Sequence, residues 1–167
     1  MSVIIGIDPG SLRSGWGVVS THKSQVECLG SGVISVGEGF PLERRLAHLS
    51  RELKKILEEF SPQCMVVEKV FFGKNADSAF KLGHARGVCL AAAGLHGLDL
   101  AEYATRYVKK ALTGNGAASK EQVQFLVQHI LRVQTPQLDA SDALAMALCH
   151  ARVLEVDGLF KQQEKTL

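Results

Sequence analysis

No Cys-x-x-Cys pair occurs in this chain, and its four cysteines (Cys28, Cys64, Cys89, Cys149) are scattered. Each falls in or beside an apolar segment, which argues against a disulfide framework or a zinc site and for buried free thiols in a reducing compartment. A basic leader is missing, because the N-terminus runs straight into a strand-like segment. A membrane span is missing too: the longest apolar stretch, residues 88–98, is too short and too rich in Gly and Ala. The sequence therefore reads as soluble and cytoplasmic, with no membrane partner. Asp8-Pro9-Gly10 lacks the spacing of a dinucleotide fingerprint or of a Walker A loop. No internal repeat is present. With 167 residues, 46% of them hydrophobic, the chain is expected to form one domain over 1–155 and a polar, flexible tail over 156–167.

Net charge is only +2, but it is unevenly spread. Residues 69–132 hold nine basic and four acidic side chains, whereas the flanking parts together stand at −3. A basic field beside acids suits an anionic polymer held next to metal-binding carboxylates, with a solvated positive face as the lesser alternative.

The first apolar run, 3–8, reads as a strand buried on both faces and ends on Asp8. Residues 65–67 repeat the pattern and end on Glu68. An acid at the carboxyl end of a central strand occupies the edge where α/β proteins place their sites, although a turn aspartate is the plainer reading. Segments 15–19 and 26–36 give two further strands, the second with a bend or bulge near Gly30 and Gly32. Leu42, Leu46, Leu49, Leu53, Leu57 and Phe60 mark an amphipathic helix, which ends at Ser61-Pro62 and crosses over to 65–68. If the strands ending on Asp8 and Glu68 run parallel as neighbours, the two acids meet.

A helix is expected from Ala76 to about Gly97, with residues 88–95 buried in the core or a subunit interface. A short strand (100–103) follows, then Arg106, Lys109 and Lys110 before a flexible turn at 113–116. Ser119-Lys120-Glu121-Gln122 has capping-box form and opens another helix. The last helix, 139 to about 154, carries Asp139 and Asp142 in its first turn, where they serve as caps or as ligands. Four carboxylates brought together repel unless cations neutralise them. Hard oxygen donors without a His/Cys cluster favour Mg²⁺ or Mn²⁺, and paired ions of that kind hydrolyse phosphodiesters. Phe71 and Phe72, with Lys69 and Lys74 nearby, form either a core plug or a base-stacking platform.

Four segments, Gly6-Ile7-Asp8-Pro9-Gly10, Val67-Glu68-Lys69-Val70-Phe71, Lys74-Asn75-Ala76-Asp77-Ser78 and Asp139-Ala140-Ser141-Asp142-Ala143-Leu144, closely resemble the RuvC family of bacterial Holliday junction endonucleases. The resemblance runs from about residue 3 to residue 152, in family order and spacing. It implies an α/β, ribonuclease-H-like fold with a five-stranded mixed sheet flanked by helices. It implies that Asp8, Glu68, Asp139 and Asp142 are catalytic acids holding two Mg²⁺ ions, with Mn²⁺ as a substitute. It also implies that Phe71 stacks on a base near the junction centre, and that Lys109 and Lys120 contact DNA, as Lys74 is expected to do. The implied enzyme is a homodimer that nicks two like-polarity strands symmetrically and works with RuvA and RuvB. Three rivals remain: a sugar kinase or ATPase, for which the chain is too short; a related nuclease acting on structured RNA; and a non-catalytic DNA-binding module.

Overall fold

A computed structural model describes residues 1–23, 25–69, 76–135 and 137–164, with the side chains of 76–78 and 157–164 left aside. Five strands form one mixed sheet in the order β3-β2-β1-β4-β5. The front of the chain is an antiparallel meander of β1 (Ser2–Asp8), β2 (Arg13–His22) and β3 (Gln25–Ser35). In β3, Gly30 pairs with Val18 and Cys28 with Val19, so Leu29 is the extra residue of a bulge. The bend falls beside Gly30, as expected, and a Cβ there would lie 2.8 Å from the Phe60 ring.

Helix α1 (Leu42–Phe60) buries Leu49, Leu53, Ile56 and Leu57 and stops at Ser61, which adopts a left-handed conformation (φ 45°). The chain then enters β4 (Cys64–Glu68), parallel to β1, followed by α2 (Ala76–Leu95) and β5 (Asp99–Tyr103), parallel to β4. The five-stranded mixed sheet and its crossover are thus as the sequence predicts. Strand alternation assigns the two faces. Val3, Ile5, Ile7, Met65 and Val67 pack under α1 and α2, while Ile4, Cys64 and Val66 pack under the last helices.

Those helices are α3 (Thr105–Thr113), α4 (Lys120–Leu131) and α5 (Leu138–Glu164). Two of them differ from expectation. Helix α3 buries only Val108 and Leu112, too few positions to show a helical period in the sequence. Helix α5 continues through Glu164, past the stop expected near residue 154 and into the segment read as a tail. The capping box of α4 is present, with Ser119 accepting from the Gln122 amide and the Gln122 side chain accepting from the Ser119 amide. Residues 88–95 divide between two environments. Cys89, Ala92 and Ala93 belong to the core, whereas Leu95 is 86% exposed.

Candidate active site

The register of the parallel strands assembles the first part of the site. Ile7 pairs with Val67 and Glu68 with Tyr103, which aligns the carboxyl ends of β1, β4 and β5. Asp8 and Glu68 follow residues that alternate, so their side chains share the face covered by α5. The expected meeting of these two strand ends therefore occurs.

Helix α5 reaches the same edge because the sheet beneath its first turns carries glycines, Gly6, Gly15 and Gly17. A Cβ on Gly6 would stand 2.0 Å from the Ala143 carbonyl oxygen, and one on Gly15 would stand 1.9 Å from that of Asp139. Backbone meets backbone at both places, which only glycine permits. The first turn of α5 is thereby lowered onto the end of β1, carrying Asp139 and Asp142. Their separation of three positions on one helix does the rest.

A cavity of about 300 Å³ opens here, lined on its polar side by Asp8, Glu68, Thr105, Lys109, Lys120 and Asp142. Val108, Val123, Ala145 and Met146 form its apolar wall, with Tyr103 beside them. Asp139 sits beside this cavity and pairs with Arg13 (Nε to Oδ2, 2.9 Å). Lys120 Nζ lies 2.6 Å from Asp142 Oδ2, and its ammonium is held above its ordinary pKa by that hydrogen bond. The Thr105 hydroxyl donates to Glu68 Oε1. Lys109 donates to the Ala118 carbonyl (2.7 Å) while lining the cavity.

Asp8 is the electrostatic centre of this arrangement. Burial first, and then the charges of Asp142, Glu68 and Asp139, push its carboxyl up to about 7, against a smaller opposing pull from Lys120. A carboxyl so placed lacks a counter-charge of its own. The donor set, all carboxylate oxygen at the mouth of one cavity, fits a hard divalent cation. Among the described residues no three such side chains yet converge on one point. Arg13, Thr105 and Lys120 each hold an oxygen of Asp139, Glu68 and Asp142.

The structure thus brings Asp8, Glu68, Asp142, Lys109 and Lys120 around one space and sets Asp139 at its side. Phe71 and Lys74, with Phe72, lie outside the described residues. Arg13, Tyr103 and Thr105 are parts of the site that sequence reasoning did not assign. Their roles depend on contacts across 126, 47 and 37 positions of chain, for which no local pattern exists.

Comparison with known proteins agrees with this geometry. Residues 4–150 match the profile of the family described as Crossover junction endodeoxyribonuclease RuvC. A protein of that name from Bdellovibrio bacteriovorus is 47% identical over 161 residues, covering 96% of each chain. One from Pseudomonas paraeruginosa is 48% identical over 152 residues, 90% of this chain and 87% of its own. Among solved structures, T. thermophilus RuvC in complex with Holliday junction substrate superposes with a TM-score of 0.87 at 32% identity. That alignment covers 94% of this chain and 97% of the other. Profile, relatives and superposition all span the segment in which the acids meet, and the chain belongs to the RuvC family.

Proposed function

We propose that the protein is a structure-selective endonuclease that resolves Holliday junctions by symmetric hydrolysis of two like-polarity strands during recombination and repair. The observation that carries this reading is the convergence of Asp8, Glu68 and Asp142 with Lys109 and Lys120 around one open cavity at the sheet edge. The likeness to T. thermophilus RuvC in complex with Holliday junction substrate supports the choice of DNA over structured RNA.

Asp8, Glu68, Asp139 and Asp142 would hold two Mg²⁺ ions, with Mn²⁺ as a substitute, and these supply water activation and stabilisation of the leaving oxygen. The chain's own residues do the remainder. Lys109 and Lys120 meet the phosphate as it enters between them and reduce the repulsion that four carboxylates would otherwise exert. Lys120 can exchange Asp142 for a phosphate oxygen, since its ammonium is half exposed at the rim. The wall formed by Val108, Val123, Ala145 and Met146 limits water on the side away from the substrate. Phe71 is proposed to stack on a base and Lys74 to hold a phosphate near the junction centre.

A homodimer fits a substrate of near twofold symmetry, since each subunit then meets an equivalent strand. The exposed Leu95 beside buried Cys89, Ala92 and Ala93 supports α2 as part of that dimer contact. RuvA and RuvB are the proposed partners. Among the described residues no helix is long and apolar enough to cross a membrane, and we assign the reaction to the cytoplasm.

The test is cleavage of a four-way junction against linear duplex, with Mg²⁺ or EDTA, by wild type and Asp142→Asn. Paired nicks confined to the junction, to Mg²⁺ and to the wild type are expected. Cleavage of structured RNA in place of the junction would replace the assignment, and tight binding without nicks under any condition would make the protein a binding module.

A further inference from the structure

A second concentration of positive charge lies away from the carboxylates, on the first turns of α1. Arg44, His48 and Arg51 recur at steps of four and three and so share one face of the helix. With Val36, Phe40 and Ala47 they enclose a groove of about 330 Å³. Further along the helix the cations are neutralised locally, Lys54 by Glu58 at 3.6 Å and Lys55 by Glu52 at 2.7 Å. Among the described residues neither Arg44 nor Arg51 has such a partner, and both are exposed. Of the neighbouring acids Glu38, Glu43 and Glu52, none lines the groove; Glu52, adjacent to Arg51, pairs with Lys55 while lying within the field of His48 and Arg51. Phe40 is 50% exposed above it.

The topology puts this groove at the edge that carries the active site. Strand β3 ends with Ser35 opposite Arg13, and the Val36 amide donates to the Leu12 carbonyl at 2.9 Å. Leu12 lies in the turn that follows Asp8. The chain thus leaves the sheet for α1 at the end where Asp8 and Glu68 stand, on the opposite face from α5. Two strand spacings, about 10 Å, separate β3 from β1 in the sheet.

We propose that this groove is a second DNA-backbone site, which seats the phosphates of a duplex arm running outward from the cleaved position. The occupant follows from charge and shape. Unpaired guanidinium groups on one concave face match successive phosphate oxygens, which arginine contacts through two donors at once. Phe40 adds an apolar surface for the sugar edge. Contacts of this kind carry no base information; they hold the arm so that the scissile phosphate lies over Asp8. The proposal rests on the junction-resolving function and extends it by naming where an arm is held.

The experiment measures junction affinity in EDTA, where nothing is cut, across 50–200 mM salt. It compares wild type, Arg44→Gln/Arg51→Gln, Arg51→Gln alone, and Lys54→Gln/Lys55→Gln as a control on the paired half of α1. Losing two phosphate contacts per subunit, about four per dimer, should reduce the slope of log K against log salt by about 3.6, and losing one per subunit by about 1.8. Over that fourfold rise in salt, wild type then weakens about 150-fold more than the double variant. The lysine control should keep both the wild-type slope and its Mg²⁺-dependent nicking. Wild-type slopes in both arginine variants would overturn the groove and leave the junction reading intact. Loss of the dimer in sedimentation with no change of slope would also overturn it, by making this face a protein contact. A wild type indifferent to the junction would overturn the reading beneath.

Discussion

Replacing Asp8 by asparagine should stabilise the metal-free protein at neutral and alkaline pH, although Asp8 is a proposed catalytic acid. The folded protein keeps this carboxyl protonated up to about pH 7, while an unfolded chain releases the proton near 3.8. Between those values the folded state binds more protons, so its stability falls as pH rises. Below about pH 4 both states are neutral and nothing is lost; above about pH 7 both are charged and the full cost of the buried charge is present. Three pH units correspond to about 4 kcal/mol, a figure that already contains the opposing pull of Lys120, and the partial solvent access of the site reduces it to roughly 2–4 kcal/mol. For a chain of this length that amounts to a rise of about 4–16 °C in Tm. The assay is thermal unfolding in EDTA at pH 4 and pH 8, at fixed protein concentration. Asp8→Asn should melt higher at pH 8 and alongside wild type at pH 4. Adding Mg²⁺ at pH 8 should raise wild type more than the variant, because the cation neutralises the charge that the amide has already removed. A variant that melts lower at pH 8, or whose difference from wild type does not change with pH, would refute the reasoning.

Other perturbations probe the remaining parts of the site. Gly15→Ala places a methyl group 1.9 Å from the Asp139 carbonyl, and should lower stability in urea by about 3 kcal/mol while weakening Mn²⁺ binding measured by calorimetry. Arg13→Gln frees Asp139 from an exposed ion pair worth about 0.2–1 kcal/mol, so Mn²⁺ affinity should increase by about 1.4- to 5-fold. Lys109→Ala should flatten the slope of log K against log salt for junction binding by about one unit if Lys109 neutralises one phosphate. An unchanged slope would remove it from direct contact. Ser119→Ala abolishes the capping box of α4, and should cost about 1 kcal/mol in urea unfolding without altering the Mn²⁺ affinity.

Much of this arrangement is written in local patterns. The apolar runs before Asp8 and Glu68 are strands because branched residues buried on both faces have few other uses. The leucine spacing of α1 and the cap at Ser119 are equally local. A helix between β3 and β4 makes β4 run parallel to β3 and, through the meander, to β1; that β4 lies beside β1, which brings Asp8 next to Glu68, is decided by the sheet. The family motifs then single out the acids, whose positions on elements are already set. Helix α3 and the extension of α5 are less legible, because short or polar helices are held by neighbours and carry little periodicity of their own.

Other features belong to tertiary structure only. Nothing local distinguishes Gly6 and Gly15 from turn or bulge glycines; their role is to leave room for carbonyl groups of α5, more than a hundred residues away. The pairing of Arg13 with Asp139, of Thr105 with Glu68 and of Lys120 with Asp142 likewise depends on which side chains the packed helices leave within reach. The pKa of Asp8 depends on the same closeness, since burial and repulsion exist only once the strands and α5 have met. The sequence by itself determined which groups are present and on which elements they ride, because those are matters of period and chemistry. The fold decided how near they stand and which of them neutralise one another, because distance in space is a property of the packed chain.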